Sequence, residues 1–252
     1  MKYMFMLGGA DAEMMAIREL LEGVGAEYVD HQLGWGAKVD SYKEEIEEAL
    51  AVGKMPVCIE LQGAAATYGD EVVVVDHHSY GDIDYTDCPA SILQVCNLLG
   101  IEPDRHQLLI AANDSGYIPG MLAMGATSEE VAEIRRRDRA AQGITPEQEA
   151  EAERALQARE HIGCATVVRM AHSKCAPVTD ALFGSKDADS LLVVCDDGER
   201  DYFGDGIVCA ALKEAYPDGW AGGDGYGKAG GSAFFGCYGT SEEELLAVIN
   251  NR

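Results

Sequence analysis

The chain lacks long apolar runs, and this absence bears on its expected cellular compartment. No stretch approaches the roughly 18 consecutive apolar residues that suggest a membrane-spanning helix. The N-terminal run MKYMFML is too short for the core of a signal peptide, and acidic residues follow it at once. The sequence therefore predicts a cytoplasmic protein without a membrane segment.

Closely spaced cysteine pairs are also missing. The chain has eight cysteines, but none forms a CxxC pair and several lie inside apolar strand or helix patterns. Such cysteines usually behave as small buried hydrophobic residues in a reducing compartment. We therefore expect neither a disulfide framework nor a zinc site.

Basic residues are scarce. The chain has 19 Lys and Arg against 44 Asp and Glu, which gives a formal net charge of -25. This charge repels polyanions, and affinity for long nucleic acid comes largely from neutralisation of phosphates by basic side chains. Long nucleic acid is therefore a disfavoured partner, whereas a small anionic substrate held by a local basic cluster is compatible with the charge. Adaptation to salt or for solubility explains the acidity equally well.

What the chain does contain is a regular alternation of apolar runs and helix-like segments. Alternating strands and helices are typical of a parallel sheet, and runs such as VVVV indicate strands buried on both faces. The sequence predicts an α/β fold with a doubly wound, mostly parallel sheet and a smaller C-terminal α/β lobe. In the first half, we predict strands over 2–7, 26–30, 56–61 and 71–76, and helices over 12–24, 41–52, 89–99, 105–113 and 128–141.

A polar segment divides the chain. Residues 145–160 form an Ala- and Glu-rich helical pattern that begins with a Thr cap and a Pro in the first turn, which favours a connecting helix. We therefore predict an N-terminal domain over 1–143, a connecting helix over 144–161 and a C-terminal domain over 162–252. In the last of these, strands are expected over 165–170, 190–195 and 232–238, and helices over 206–216 and 241–250.

Acidic and imidazole side chains follow the apolar runs of the first half, and the ends of such runs are where ligands bind when the runs are strands of a parallel α/β sheet. This group comprises Asp11, Glu13, Glu60, Asp76, His77 and Asp114. Together at one sheet edge, these groups would repel one another without a cation, and they suit Mn²⁺ or Mg²⁺, as one ion or two. Such ions activate water and hold phosphoryl groups, which favours metal-assisted phosphoester hydrolysis. Individually, an Asp after a strand is more often a cap or a turn former, and Glu60 alone fits a solvated loop.

The main basic cluster lies in the segment EIRRRDRAAQ. Its arginines Arg135, Arg136 and Arg139 are candidates for binding the phosphate of a substrate. Positions 135 and 139 are one helical turn apart and share a face. The alternative is that these arginines form ion pairs with the acidic residues of 128–133.

At these residues the chain resembles a known family. VVVVDHHS resembles the motif that names the DHH phosphoesterase superfamily, AANDSGY resembles its fourth motif, and LGGADAE and Glu60 stand where its first and second motifs occur. The resemblance covers about the first 120 residues. It implies a two-lobed, Mn²⁺- or Mg²⁺-dependent phosphohydrolase in which Asp76, His77 and His78 are catalytic and His78 faces the substrate. It also implies a glycine-rich substrate-binding loop, matched here by Gly222, Gly223, Gly230, Gly231 and Ser232.

The chain departs from the family pattern in the first motif. Leu7 stands where the family has its first His, and acids at two positions are Glu13 and Glu60 where the family has Asp. The family pattern then implies one weakened metal site and a second site that is complete in kind, with Glu13, Glu60, His77 and Asp114. His31 or Asp30 is an alternative replacement ligand. The leading function is hydrolysis of a small phosphorylated substrate, such as a short oligonucleotide, dinucleotide, nucleotide or polyphosphate. A binding or sensor protein for a small anion is the alternative, and a homodimer is left open.

Overall fold

The fold was examined in a computed structural model that describes residues 2–80 and 83–251. The chain divides into two units, Met1–Gly143 and Ile144–Arg252. The described part of the chain has no helix that is both long and apolar enough to cross a membrane.

The first unit is built on a four-stranded parallel sheet with the order β2-β1-β3-β4. An antiparallel pair of two-residue strands follows it. The strands are β1 Tyr3–Leu7, β2 Tyr28–Asp30, β3 Met55–Ile59, β4 Val73–Val75, β5 Ser79–Tyr80 and β6 Ile83–Asp84. The helices are α1 Ala12–Val24, α2 Lys43–Ala51, α3 Ala64–Tyr68, α4 Ser91–Leu99, α5 Arg105–Ala123 and α6 Ser128–Ala141.

Both faces of the parallel sheet are covered. Because side chains alternate along a strand, Phe5 and Leu7 of β1 pack into a core with residues of α1, α4 and α5, whereas Met6 packs into a second core with residues of α2. The predicted α/β class with a parallel sheet is therefore confirmed for this part of the chain. Burial on both faces also explains why its strands are apolar throughout.

The second unit carries a six-stranded sheet with the order β11-β12-β10-β9-β8-β7. Within it, β8 and β9 are parallel, and the other paired strands are antiparallel. Its strands are β7 Glu160–Ile162, β8 Ala165–Met170, β9 Ser190–Cys195, β10 Glu199–Asp205, β11 Trp220–Gly222 and β12 Ser232–Tyr238. Its helices are α7 Pro146–Gln157, α8 Ala176–Leu182, α9 Gly206–Ala215 and α10 Glu242–Asn250.

The helix predicted as a connector belongs to the second unit. Thr145 caps α7 as predicted, since its hydroxyl accepts a hydrogen bond from the amide of Gln148 at 3.3 Å. Ala152 and Ala155 are buried in one core with Val168 and Leu191. Small alanine side chains let this mostly polar helix pack closely on a sheet. Its polar composition did not indicate this packing.

The predicted start of α2 is wrong. Ser41 lies inside a 3-10 turn, Val39–Tyr42, and α2 begins at Lys43 without a side-chain cap. The buried Tyr42 hydroxyl donates a hydrogen bond to the carbonyl oxygen of Leu7 at 2.5 Å and accepts one from the amide of His31 at 2.8 Å. These contacts hold the residue before α2 against the end of β1.

Candidate metal centre

Three neighbouring strands end at the same level of the first sheet. Leu7 pairs with Ile59, and Ile59 pairs with Val75, so the residues after β1, β3 and β4 emerge at one edge. Glu60 and Asp76 are the residues that follow β3 and β4 directly. Parallel pairing therefore produces the convergence that the strand-end pattern predicted.

Glu13 reaches this edge from the first turn of α1, with 2% of the residue exposed. One carboxylate oxygen, Oε1, accepts a hydrogen bond from the amide of Ile92 at 3.0 Å, at the start of α4. A helix N-terminus offers such unpaired amides and favours negative charge. The bond fixes the carboxylate and leaves Oε2 without a hydrogen-bond partner among the described residues.

Glu60 is held by an uncommon backbone conformation. Its φ of 51° lies in the left-handed region, which a non-glycine residue rarely adopts. Its amide still donates a hydrogen bond to the carbonyl oxygen of Val75 at 2.9 Å. At Gly8, an added Cβ would lie 2.4 Å from the carbonyl oxygens of Ile59 and Glu60, so this close approach requires glycine.

Asp76 orients the histidine two residues after it. Its Oδ1 accepts hydrogen bonds from the backbone amide of His78 at 2.9 Å and lies 3.0 Å from Nδ1 of the same imidazole. The other oxygen, Oδ2, is buried without a hydrogen-bond partner among the residues described. The hydrogen bond to Asp76 raises the pKa of His78 to about 9, against the opposing effect of burial.

His77 lies at the centre of the cluster. Its Nε2 is 2.6 Å from Oδ2 of Asp114 and 3.7 Å from a carboxylate oxygen of both Glu13 and Glu60. None of these contacts has hydrogen-bond geometry, and among the described residues Nε2 has no hydrogen-bond partner. Ligand atoms of Glu13, His77 and Asp114 lie within 4.8 Å of one another, as do those of Glu60, His77 and His78.

The buried carboxylates repel one another. Burial, and then the Asp114 and Glu60 carboxylates, raise the pKa of Glu13 well above its usual value. Burial, and then Asp11 and Asp114, raise the pKa of Glu60 to about 7. Burial also raises the pKa of Asp11 despite a hydrogen bond from the amide of Met14. A cation would offset these costs, because it favours the charged form of each group.

Asp11 stands beside the cluster as the N-cap of α1. Its Oδ1 accepts a hydrogen bond from the amide of Met14 at 2.8 Å, which is the capping role that the sequence offered as an alternative. Asp11 and Glu60 line a cavity of about 540 Å³ together with His78 and Tyr80. The metal-ligating role predicted for Asp11 stays a prediction.

Asp114 lies in α5, shortly before a break in the helix. Tyr117 has φ 54° and ψ -149°, outside the helical region, and Pro119 follows. The predicted helix over 105–113 therefore continues past the AANDSGY segment in two pieces. The break lies within one turn of Asp114, next to the cluster.

A buried network supports the two helices that carry Asp11, Glu13 and Asp114, and sequence reasoning missed it. Asp138 accepts hydrogen bonds from the amide of Ala12 at 3.1 Å and from Nη1 of Arg135 at 2.7 Å. Arg135 also donates to Oδ1 of Asn113 at 3.0 Å and stacks on the ring of Tyr117 at 4.6 Å. The i, i+3 spacing of Arg135 and Asp138 on α6 was the available signal.

The arginines of the predicted basic cluster differ in their burial and in their partners. Arg135 is buried, whereas Arg136 is exposed and pairs with Glu133 at 2.7 Å, as the ion-pair alternative held. Arg139 is partly buried. The substrate-binding role of Arg135, Arg136 and Arg139 stays a prediction, and the network around Arg135 gives that side chain a second role.

Leu7 and its possible replacements lie away from the ligand groups. The Leu7 side chain is fully buried in the apolar core of the first unit. His31 stacks on the Tyr42 ring with centroids 4.3 Å apart and lies 2.9 Å from Glu45, and Asp30 pairs with Arg18. Neither residue is in a described metal-ligating group.

The glycine-rich segment of the second unit connects β11 to β12. Gly222 ends β11, Ser232 begins β12, and the amide of Gly230 donates a hydrogen bond to Oδ2 of Asp205 at 2.6 Å. The amide of Gly231 donates to the carbonyl oxygen of Lys228 at 3.2 Å, and Gly223 has a φ of 99°. The amides of Gly230 and Gly231 therefore already have partners within the protein. The predicted phosphate-binding role of Gly222, Gly223, Gly230, Gly231 and Ser232 stays a prediction.

Comparison with known proteins yields structural neighbours alone. No protein-family model and no curated protein sequence matches the chain. Among solved structures, it is similar to a pGpG-specific phosphodiesterase, PggH from Vibrio cholerae, with 11% identity and a TM-score of 0.46 over 100% of this chain and 99% of that one. It also matches an uncharacterized protein from Helicobacter pylori G27, with 11% identity, a TM-score of 0.26 and the same coverage.

Proposed function

We propose that this chain is a divalent-metal-dependent phosphohydrolase that acts on a small phosphorylated substrate. One observation carries the proposal. Buried polar atoms from four separate segments converge without hydrogen-bond partners among the described residues, namely Glu13 Oε2, Glu60 Oε1, Asp76 Oδ2, His77 Nε2 and Asp114 Oδ2. Buried polar groups in folded proteins are almost always paired, so this concentration indicates a bound cation.

The ligand set fits Mn²⁺ or Mg²⁺. Carboxylate oxygens suit both ions, and the imidazole of His77 favours Mn²⁺. The ligands would be Glu13, Glu60, Asp76, His77 and Asp114. When bound, such an ion neutralises the charge of a phosphoryl group and lowers the pKa of a water molecule.

His78 is positioned to act on the substrate. It lines the cavity, and its Nδ1 lies 3.0 Å from Oδ1 of Asp76, which leaves Nε2 to face a phosphoryl oxygen. The contact with Asp76 favours the protonated form of the ring. A positive group at this position would orient an anionic substrate beside the carboxylates.

A binding or sensor protein is the second candidate function. Leu7 supports it, because this fully buried apolar side chain provides no ligand at the end of β1. Metal stoichiometry separates the two candidates. Two tightly held ions with turnover support the hydrolase, and one ion or none without turnover supports the binding protein.

The test uses the purified full-length chain after chelation. Bound metal is measured by calorimetry and elemental analysis, and phosphate release is assayed with short oligonucleotides, dinucleotides, mononucleotides and polyphosphate. We expect Mn²⁺ to bind and restore hydrolysis, and Asp76→Asn to lose both. Asp218→Asn, which changes an exposed carboxylate in the second unit, is the matched control and should retain both. Hydrolysis that persists in the chelator, or metal binding that Asp76→Asn leaves intact, would overturn the proposal.

A further inference from the structure

A second group of metal-ligating side chains lies in the second unit, in a region that the proposed function does not use. Cys195 ends β9, Asp201 lies on the adjacent strand β10, and Cys175 immediately precedes α8. These residues are far from a CxxC spacing. The fold brings them together because the end of β9 and the segment before α8 meet beside β10.

The distance between Cys175 and Asp201 is close to that between two ligands of a tetrahedral metal site. Sγ of Cys175 lies 3.4 Å from Oδ2 of Asp201, and ligand atoms of all three residues lie within 4.8 Å of one another. Tetrahedral Zn²⁺ with ordinary bond lengths places a sulfur and an oxygen ligand about 3.6 Å apart. The sulfur-to-oxygen distance therefore requires little rearrangement to accept an ion.

The surroundings of Asp201 also favour a cation. Only 7% of this residue is exposed, and its carboxylate accepts a hydrogen bond from the Cys175 thiol, which is a weak donor. Burial, with Glu199 nearby, raises the pKa of Asp201 to about 7. A buried carboxylate is costly unless it is paired or coordinates a metal.

We propose that Cys175, Cys195 and Asp201 form a binding site for a thiophilic divalent cation such as Zn²⁺. The site has three protein ligands, which leaves one tetrahedral position for water or an external ligand. Occupancy would cross-link β9, β10 and the start of α8. It would also neutralise the buried carboxylate.

The test is a Co²⁺ and Zn²⁺ titration of the reduced full-length chain. Cys88 and Cys164 are exposed, so both are changed to Ser in the background protein. We expect a thiolate-to-Co²⁺ charge-transfer band that saturates at one equivalent and is displaced by Zn²⁺. The carboxylate and imidazole cluster of the first unit has no sulfur ligand, so this band reports the proposed site alone.

Matched variants decide the assignment. Cys175→Ser and Cys195→Ser should abolish the band, Asp201→Asn should weaken Co²⁺ binding by at least about tenfold, and Cys209→Ser, at a fully buried cysteine of the same unit, should change neither. Thermal stabilisation by Zn²⁺ of the Asp76→Asn protein, which lacks the proposed metal centre of the first unit but keeps all three ligands of this site, provides a readout independent of cysteine substitution. Absence of the band, its persistence in Cys175→Ser, or a Cys175–Cys195 disulfide under reducing conditions would overturn the proposal.

A different observation concerns the substrate of the first unit. Trp35 is 91% exposed, between Gly34 and Gly36, and lines the cavity that also contains His78. An indole this exposed contributes little to a core. At the edge of a cavity, it provides a flat apolar surface on which a planar ring can stack.

We infer that the substrate carries a nucleobase that stacks on Trp35, so that nucleotides are preferred over polyphosphate and sugar phosphates. This inference rests on the proposed phosphohydrolase function. Stacking of a base on an aromatic side chain is worth a factor of about 5 to 150 in affinity. The cavity volume of about 540 Å³ suits a ligand of nucleotide size.

Fluorescence tests the stacking without requiring turnover. The chain has two tryptophans, so Trp220→Phe leaves Trp35 as the only indole. We expect nucleoside monophosphates to quench it and ribose 5-phosphate to leave it unchanged. In turnover, Trp35→Ala should raise KM for nucleotides by about 5- to 150-fold, Trp35→Phe should largely restore it, and KM for ribose 5-phosphate should not move.

The outcomes distinguish the two hypotheses. Quenching without hydrolysis would support stacking and contradict the phosphohydrolase. Hydrolysis with no quenching, and with the same KM for Trp35→Ala and the unmutated chain, would overturn the stacking inference and leave the phosphohydrolase intact.

Discussion

Carboxylates accept hydrogen bonds from backbone amides both at the edge of the parallel sheet and at Asp205, the last residue of β10, which contacts the glycine-rich turn between β11 and β12. The two places differ in how completely the carboxylate oxygens are paired. Asp205 uses both of its oxygens, which accept hydrogen bonds from the amides of Ile207 and Gly230 at 2.8 and 2.6 Å. At the sheet edge, each of Glu13 and Asp76 keeps one buried oxygen without a partner among the described residues. Paired groups stabilise a local structure, whereas converging unpaired groups indicate a ligand.

The buried network around Arg135 offers the strongest test of this distinction. Arg135→Met should destabilise the protein by about 3–5 kcal/mol, because it leaves the Asp138 carboxylate buried without its cation. Chemical denaturation measures this change. Arg136→Met removes an exposed pair and should cost no more than about 1 kcal/mol. Equal stability of the two variants, with weaker substrate binding by Arg135→Met, would make Arg135 a substrate residue after all.

At the sheet edge, substitution of a proposed ligand should lower the affinity for metal. His77→Ala removes the ring that lies nearest to three carboxylates and should weaken Mn²⁺ binding by more than about 100-fold, or about 2.7 kcal/mol. Calorimetry on chelator-treated protein measures it. His31→Ala removes a histidine outside the cluster and serves as control. Unchanged affinity in His77→Ala would remove the cluster from consideration as a metal centre.

Without metal, substitution of Glu60 should raise the stability of the protein and not lower it. Glu60→Gln removes one of several repelling buried carboxylates and should raise stability by about 1–2 kcal/mol without metal, while weakening Mn²⁺ binding. Thermal unfolding with and without Mn²⁺ measures both effects. A variant that is less stable in both conditions would show that Glu60 has a structural role.

The turn at Asp205 should show a smaller effect on stability alone. Asp205→Ala removes the cap of α9 and the bond to Gly230 and should cost about 1–2 kcal/mol, with unchanged KM. Asp224→Ala, in the glycine-rich turn that Asp205 contacts through Gly230, should stay within about 0.5 kcal/mol of the original protein. A large rise in KM for Asp205→Ala would support the substrate-binding role that the sequence predicted for this loop.

The smallest expected effect is on the pH dependence of stability and concerns the exposed ion pair between Arg105 and Glu130. The hydrogen bond from Arg105 lowers the pKa of Glu130 to about 2. Because the folded-state pKa is depressed, the stabilising contribution is present above the unfolded pKa near 4.5 and is lost as pH falls towards 2. Glu130→Gln should therefore flatten the acid side of the thermal stability curve, whereas Glu129→Gln should not. If both variants had the same pH dependence of thermal stability as the unmutated protein, Glu130 would not be the group that titrates with a lowered pKa.

The sequence predicted the sheet edge well because its signal is local. The ends of β1, β3 and β4 coincide with the ends of apolar runs, and strand pairing then brings Glu60, Asp76 and His77 together. The contact between Ala12 and Asp138 spans 126 residues and depends on how α1 packs against α6, which no local pattern encodes. The carboxylates were therefore predictable, but the network that supports them was not.

Strands of the second unit show the same limit. β8 and β9 were predicted at their observed bounds because each is centred on consecutive buried aliphatic residues. β10, with the sequence ERDYFGD, was missed because just two of its residues, Asp201 and Tyr202, are buried. Its position between β9 and β12 defines it as a strand, and that information is tertiary.

The tight approach of Gly8 to Glu60 gives a practical criterion for finding relatives. Position 8 accepts no side chain, because the carbonyl oxygens of Ile59 and Glu60 lie 2.4 Å from where a Cβ would be. A homologous chain that keeps this geometry must have glycine immediately after its first strand. A search for this glycine, together with an acid after the third strand and the Asp-His-His segment, would add a steric rule to the selection of candidates.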